Sequence, residues 1–157
     1  MKCCFHSPVG YVHLHEEEGH IVTIHLDDAP LDDSDDSVVM RSCRLQLGEY
    51  FAGTRRHFDF PMRQDGTGFQ QRVWEALCTI PFGKTTSYRD LSKQLGDVKA
   101  IRAVGTANGR NRLAIVVPCH RVIGSDQSLT GYAGGLHRKR WLLEHEARFA
   151  TGVQTLF

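Results

Sequence analysis

The sequence predicts an α+β protein of two small domains, and three observations lead there. A stretch of strict apolar–polar alternation lies near the N-terminus, several segments of helical period follow it, and a turn-rich break, RQDGTG, separates the two regimes. The chain has 157 residues, 41% of them hydrophobic and 24% charged, with 19 Lys/Arg against 18 Asp/Glu, the profile of an ordinary globular protein. No run approaches the roughly 18 apolar residues of a membrane span. MKCCFHSPVG lacks the apolar core of a signal peptide, so neither secretion nor membrane spanning is expected.

Residues 10–26, GYVHLHEEEGHIVTIHL, alternate on both sides of EEEG and predict an antiparallel hairpin. DDAPLDDSDD, residues 27–36, places six acids in ten residues and predicts a solvated loop without a role. Ser37 is a good helix cap, and Val39, Cys43, Leu47 and Phe51 recur every four residues as one buried stripe until Gly53. HFDF, residues 57–60, reads as a short strand before Pro61. The predicted domains are 1–64 and 67–157. In the second, Thr67 caps a helix in which Phe69, Val73, Trp74, Leu77 and Ile80 line one side. Leu91 and Leu95 mark a short helix, Gly96-Asp97 a turn and residues 101–107 a second helix, the helix-turn-helix outline. Leu113–Val117 is an apolar run suited to a buried strand or core segment. TGYAGG, residues 130–135, is a loop able to approach something closely. A terminal helix over 137–149 carries Trp141, Leu142, His145 and Phe149 on one face.

Charge is unevenly spread. Residues 1–81 carry a net charge of −6 and residues 82–157 a net charge of +7, which makes nucleic acid the first partner to consider for the second half. Mutual complementation of the two halves would give the same asymmetry. Five unevenly spaced cysteines in a chain that can bury a real core do not form a disulfide framework, so a reducing compartment is expected. Cys3, Cys4, His6, His13 and His15 match no tetrahedral metal spacing.

Cys119-His120, between Pro118 and Arg121, is the most pointed feature. A thiol becomes a strong nucleophile as thiolate, and His and Arg promote that form. On the dipeptide alone an inert core cysteine is the commoner occupant of such a place. The helix around residues 101–109 is small-faced through Ala103, Gly105, Thr106, Ala107 and Gly109. Major-groove readout wants long forked side chains, so this helix suits close approach to the backbone or the shallower groove, with Arg102 as a single probe. A small-residue helix packed in a core has the same composition.

With PCHRVIG at 118–124, SYRDL at 87–91, AIRAVGTANGRN at 100–111, TGYAGG and WLLEHE at 141–146, the chain resembles the O6-alkylguanine-DNA alkyltransferases, also called methylated-DNA–protein-cysteine methyltransferases. The resemblance spans residues 67–150 in order; SPVG and LGEYFAG (47–53) extend it into the first half. It implies a ribonuclease H-like N-terminal domain, a three-stranded antiparallel sheet with a helix, and a helical, winged helix-turn-helix-like C-terminal domain. It also implies a monomer of the cytoplasm or nucleus that binds double-stranded DNA in the minor groove and rotates O6-alkylguanine, and O4-alkylthymine as a second substrate, out of the stack.

By the same resemblance Cys119 attacks the alkyl carbon, with His120 taking the thiol proton through a water that Glu146 orients, and Asn111 bracing the turn. Tyr88, Arg89, Arg102, Ala103, Gly105 and Ser125 would meet DNA, and Arg102 would fill the space of the flipped base. Pro118, Val122, Tyr132, Ala133 and Gly134 would form the alkylguanine pocket. No metal or organic cofactor is implied, and each molecule acts once. Members often read Asn-Pro where this chain has Asn111-Arg112, and the ligands of zinc-binding members have no full match here. Rival readings are a non-enzymatic lesion binder, a helix-turn-helix regulator and a Cys-His hydrolase.

Overall fold

The computed structural model describes residues 1–31 and 34–151. Among them no helix is long and apolar enough to cross a membrane. The chain divides into two compact units, residues 1–64 with 112–116, and residues 65–111 with 117–157.

In the first unit β1 (Lys2–Ser7), β2 (Gly10–Glu17) and β3 (His20–Asp27) form an antiparallel sheet in sequence order. Glu18 and Gly19, both at positive φ, close the predicted hairpin, the backbone that two-residue hairpin turns require. Val22 is an extra residue opposite the His15–Glu16 step. This bulge lets Ile21 and Ile24, three apart, both face the core.

Helix α1 (Val38–Phe51) starts at Ser37, whose Oγ accepts from Met40 N at 3.0 Å and donates to the buried Glu16 carboxylate at 2.6 Å. Its buried stripe is Met40, Cys43, Leu47 and Tyr50, not the predicted row from Val39 to Phe51. A strict four-residue repeat overshoots the 3.6-residue turn by roughly 40° per step, so both ends of that row wind off the buried face and are only half-buried.

HFDF is not a strand. Asp59 N donates to Gln46 Oε1 at 3.0 Å and Asp59 Oδ1 accepts from Gln46 Nε2, so a helix side chain takes the place of a neighbouring strand. Phe58 packs against Tyr50 and Phe60. The apolar run after Arg112 is a core segment: Leu113 makes a single bridge to Ile24, and the chain then turns with Ile115 at φ +72° and fully buried. In the acidic segment, residues 28–31 and 34–36 lack regular structure, and Asp32 and Asp33 lie outside the described residues.

In the second unit a reciprocal cap between Thr67 and Gln70 opens α2 (Gly68–Leu77). Val73, Trp74 and Leu77 are buried, and the Trp74 indole donates to Ala107 O at 2.9 Å. Phe69 is only half-buried and Ile80, though buried, lies past the helix end. β4 (Thr86–Ser87) pairs in parallel with β5 (Val122–Ile123). Ser87 caps α3 (Tyr88–Gln94), Gly96 turns the chain at φ +92°, and a 3-10 turn at Val98–Ala100 leads into α4 (Ile101–Gly109).

The last helix, α5 (Leu136–Thr151), differs from expectation. Its buried side consists of Arg138, Lys139, Leu142, Leu143, His145, Glu146 and Ala147. Trp141 is half-buried and Phe149 is 40% exposed; the two flank His145 with ring centroids 4.7 and 4.8 Å away. Polar residues that a hydrophobicity pattern assigns to solvent hold the interior because their partners are there.

Candidate active site

Cys119, His120 and Arg121 form one turn of 3-10 helix between Pro118 and β5. Pro118 cannot donate a hydrogen bond, and the turn is held from outside: Asn111 Nδ2 donates to Val117 O at 2.8 Å, and Asn108 Nδ2 reaches Cys119 O at 3.5 Å. Adjacent residues on so tight a turn diverge, so Cys119 faces a pocket while His120 and Arg121 point inward to α5.

There, one carboxylate gathers both. Glu146, 1% exposed, accepts from His120 Nε2 at 2.6 Å and from Arg121 Nε and Nη2 at 2.7 and 3.1 Å. Gly83 N donates to the same carboxylate at 3.3 Å, and Arg121 Nη1 donates to Ile80 O at 2.7 Å. Burial pushes the Glu146 carboxyl up, but His120 and Arg121 outweigh it and hold it well below the usual carboxylate range. Glu146 thus reaches the imidazole directly, and the orienting contact does not run through a water. With Glu146 accepting at Nε2, the neutral ring would carry its proton there and turn the Nδ1 lone pair away from the carboxylate. Nδ1 is buried and has no hydrogen-bond partner among the described residues.

Burial raises the Cys119 thiol above its ordinary range, opposed by a hydrogen bond from Asn111 and by the charge of Lys139. Lys139 is itself fully buried, donating to Val122 O at 2.6 Å and Thr130 O at 2.7 Å. Its burial brings the ammonium down to about 8, with the Cys119 thiolate pulling the other way.

Cys119 opens onto a pocket of about 250 Å³ walled by Tyr88, Gly105, Asn108, Gly109 and Asn111 on one side and by Gly131, Tyr132 and Ala133 on the other. Gly105 and the Tyr88 ring adjoin on this wall: a Cβ at Gly105 would meet the ring at 3.9 Å, an ordinary contact. The Tyr132 hydroxyl and Asn108 Oδ1 are buried and unpaired among the described residues. Burial, then the neighbouring Cys119, keeps the Tyr132 phenol well above its ordinary value, so it is protonated and able to donate.

The two halves of the chain match two family models in turn. Residues 2–64 match the description "6-O-methylguanine DNA methyltransferase, ribonuclease-like domain" and residues 68–148 match "6-O-methylguanine DNA methyltransferase, DNA binding domain". The chain belongs to the 6-O-methylguanine-DNA methyltransferase family. Among relatives, the methylated-DNA–protein-cysteine methyltransferase of Mycobacterium tuberculosis is 56% identical over 112 residues, 71% of this chain and 68% of that one. The protein of the same name from Methanosarcina barkeri is 43% identical over 148 residues, 89% of this chain and 92% of that one. The crystal structure of M. tuberculosis O6-methylguanine methyltransferase superposes with a TM-score of 0.85 at 41% identity, covering 97% and 95% of the two chains. A structure of the M. tuberculosis protein in complex with DNA gives 0.85 at 43% identity, covering 94% and 93%.

Of the residues that the family resemblance singled out, Cys119, Asn111, Tyr88, Gly105, Tyr132 and Ala133 line the pocket, with His120 and Glu146 buried behind Cys119. Arg89, Arg102, Ala103 and Ser125 are exposed and outside it. Pro118, Val122 and Gly134 do not line it either. Val122 is fully buried with its carbonyl turned to Lys139, and Gly134 backs onto the Tyr132 ring. Asn108 and Gly109, on the small-faced helix, and Gly131, in the TGYAGG loop, also line the pocket, whereas nothing in the sequence singles out Lys139. Lys139 sits in the charged run HRKR, which in a sequence is indistinguishable from a solvated helix face.

Proposed function

We propose that this chain repairs DNA by direct reversal, moving the alkyl group from O6 of guanine in double-stranded DNA irreversibly onto Cys119. The observation that carries the reading is a cysteine at the mouth of a pocket lined on one side by Gly105, Asn108 and Gly109 of α4, next in sequence to a histidine that a buried carboxylate, Glu146, holds at 2.6 Å. A base cannot reach Cys119 from within a duplex, so the alkylated nucleotide is rotated into the pocket, at a cost of about a few kcal/mol that damage to the base pair reduces. At about 250 Å³ the pocket is smaller than the roughly 300 Å³ and upward typical of drug-sized ligand sites, and its scale fits one planar base between Tyr88 and the 131–133 loop. Arg102, exposed on α4, fills the vacated stack, while Arg89 and Ser125 hold the backbone on either side.

In the reaction, the Cys119 proton passes by way of a water to His120 Nδ1, the ring nitrogen that Glu146 leaves free. The thiolate attacks the alkyl carbon in line with the C–O6 bond. The new S–C bond forms as C–O6 breaks, and guanine O6 departs with the bonding electrons. The leaving oxygen is met by a donor on the 131–134 loop, backbone N–H or the Tyr132 hydroxyl, before guanine takes up a proton. Lys139 and Asn111 favour the thiolate beforehand. A thioether has no easy leaving group, so Cys119 stays alkylated and each molecule acts once.

The chain acts as a monomer on a single lesion, without metal or organic cofactor, and its five free cysteines agree with a reducing compartment such as the cytoplasm or nucleus. O4-alkylthymine presents an equivalent alkyl–oxygen bond and is a second substrate. Cys119→Ala tests the reading. It should bind a duplex containing O6-methylguanine as the wild type does and transfer no methyl; continued removal of the methyl group by this variant would refute it.

A further inference from the structure

The loop that walls the pocket, residues 130–135, is tied to α5 at both ends by adjacent buried cations. Lys139 Nζ holds Thr130 O at 2.7 Å and, one residue earlier, Arg138 Nη1 holds Gly134 O at 2.9 Å. Arg138 is only 7% exposed. A cation in the first turn of a helix opposes the helix dipole, and burying it adds a desolvation cost. The position therefore does nothing for α5 as a helix, and the bond to Gly134 O is one of the contacts that offset the cost. The stem of Arg138 also packs. A Cβ added to Gly134 would lie 2.9 Å from Tyr132 Cε2 and 3.5 Å from Arg138 Cδ, so Gly134 is pressed between the tyrosine ring and the arginine stem. Tyr132 and Ala133 line the pocket, which places Arg138 directly behind its wall.

We propose that Arg138 is a positioning residue for alkyl transfer: by pinning Gly134 against the Tyr132 ring it fixes the wall that aligns the bound base with Cys119 Sγ. The proposal rests on the alkyl-transfer reading above. Its effect falls on the aligned base and not on the capture of DNA. A misplacement of reacting atoms on the order of 1 Å lowers a rate by up to roughly 100-fold, and a wall free to retreat by part of that distance gives a smaller loss.

The test is single-turnover methyl transfer from a duplex containing O6-methylguanine, with protein concentration varied. Arg138→Met keeps the stem and removes the donor; its limiting rate should fall about 10-fold or more while the half-saturating concentration stays within about twofold. Arg138→Lys, which retains a donor of similar reach, should recover most of the rate. Inactivation by free O6-benzylguanine, which involves no DNA contact, should fall in parallel for Arg138→Met. An unchanged limiting rate, a loss confined to half-saturation, or a lysine variant no better than methionine would each overturn the assignment. If Arg138→Met does not fold, Gly134→Ala presses the same wall from within, and a normal limiting rate there would overturn it instead. A wild-type chain that transfers no methyl overturns the alkyl-transfer reading and the proposal with it, whereas wild-type transfer with an unaffected Arg138→Met refutes the positioning role alone.

Discussion

Glu146→Gln separates what the buried carboxylate does for the fold from what it does for the chemistry. The side chains of Glu146, His120 and Arg121 are 1%, 0% and 7% exposed. Loss of the charge leaves a guanidinium buried without its counter-ion, and breaking such a pair costs about 3–5 kcal/mol. The glutamine carbonyl can keep one of the bonds, so the lower end, about 3 kcal/mol, is expected. For a chain of this size each kcal/mol moves Tm by roughly 2–4 °C, giving a fall of about 6–12 °C at pH 7, read by calorimetry. The carboxyl is held below its ordinary value in the folded state. Its contribution is therefore fully present above the unfolded pKa of about 4.3 and is lost as pH falls below that, where the unfolded chain takes up a proton that the folded chain resists. The gap in stability between wild type and variant should thus shrink as the pH falls below about 4.3. With Glu146 no longer orienting the imidazole, the limiting transfer rate should drop by about 10²–10⁴, with DNA affinity retained. A Tm shift under about 2 °C, or a gap that does not narrow in acid, would refute the electrostatic account of this site.

Two further outcomes follow from the surface of the second unit. Arg102→Ala should lower the transfer rate from duplex DNA far more than that from a single-stranded oligonucleotide, since a strand without a partner leaves no stack to fill; equal losses on both, measured side by side, would remove Arg102 from the flipping step. Thr67→Ala breaks the reciprocal cap with Gln70 and should cost about 1 kcal/mol, a fall of roughly 2–4 °C in Tm, without change in transfer rate.

The parts of the fold legible in the sequence are those fixed by local chemistry. The 10–26 hairpin declares itself by alternation on both sides of EEEG, and Ser37 and Thr67 each act as helix caps through their own hydroxyls. What could not be read is what depends on a distant partner. HFDF has strand-like composition, but its backbone partner is the Gln46 side chain, 13 residues away, and Lys2–Ser7, with no alternation of its own, became the third strand because β2 offered an edge. Cys119 was prominent as part of PCHR, yet the dipeptide could not show that His120 turns away from the thiol's pocket toward a carboxylate 26 residues on. Lys139 and Arg138 were invisible for the same reason: inside HRKR nothing distinguishes a cation that holds a loop carbonyl from one in water.

The central claim, that Cys119 is the terminal acceptor of the alkyl group, is tested most directly by intact mass and peptide mapping after incubation with an oligonucleotide duplex containing O6-methylguanine. The account predicts one methyl group per molecule, on the peptide bearing Cys119, with restored guanine formed in equal amount and no turnover beyond it. An unchanged mass despite tight binding to the lesion, or restored guanine in excess of protein, would contradict it.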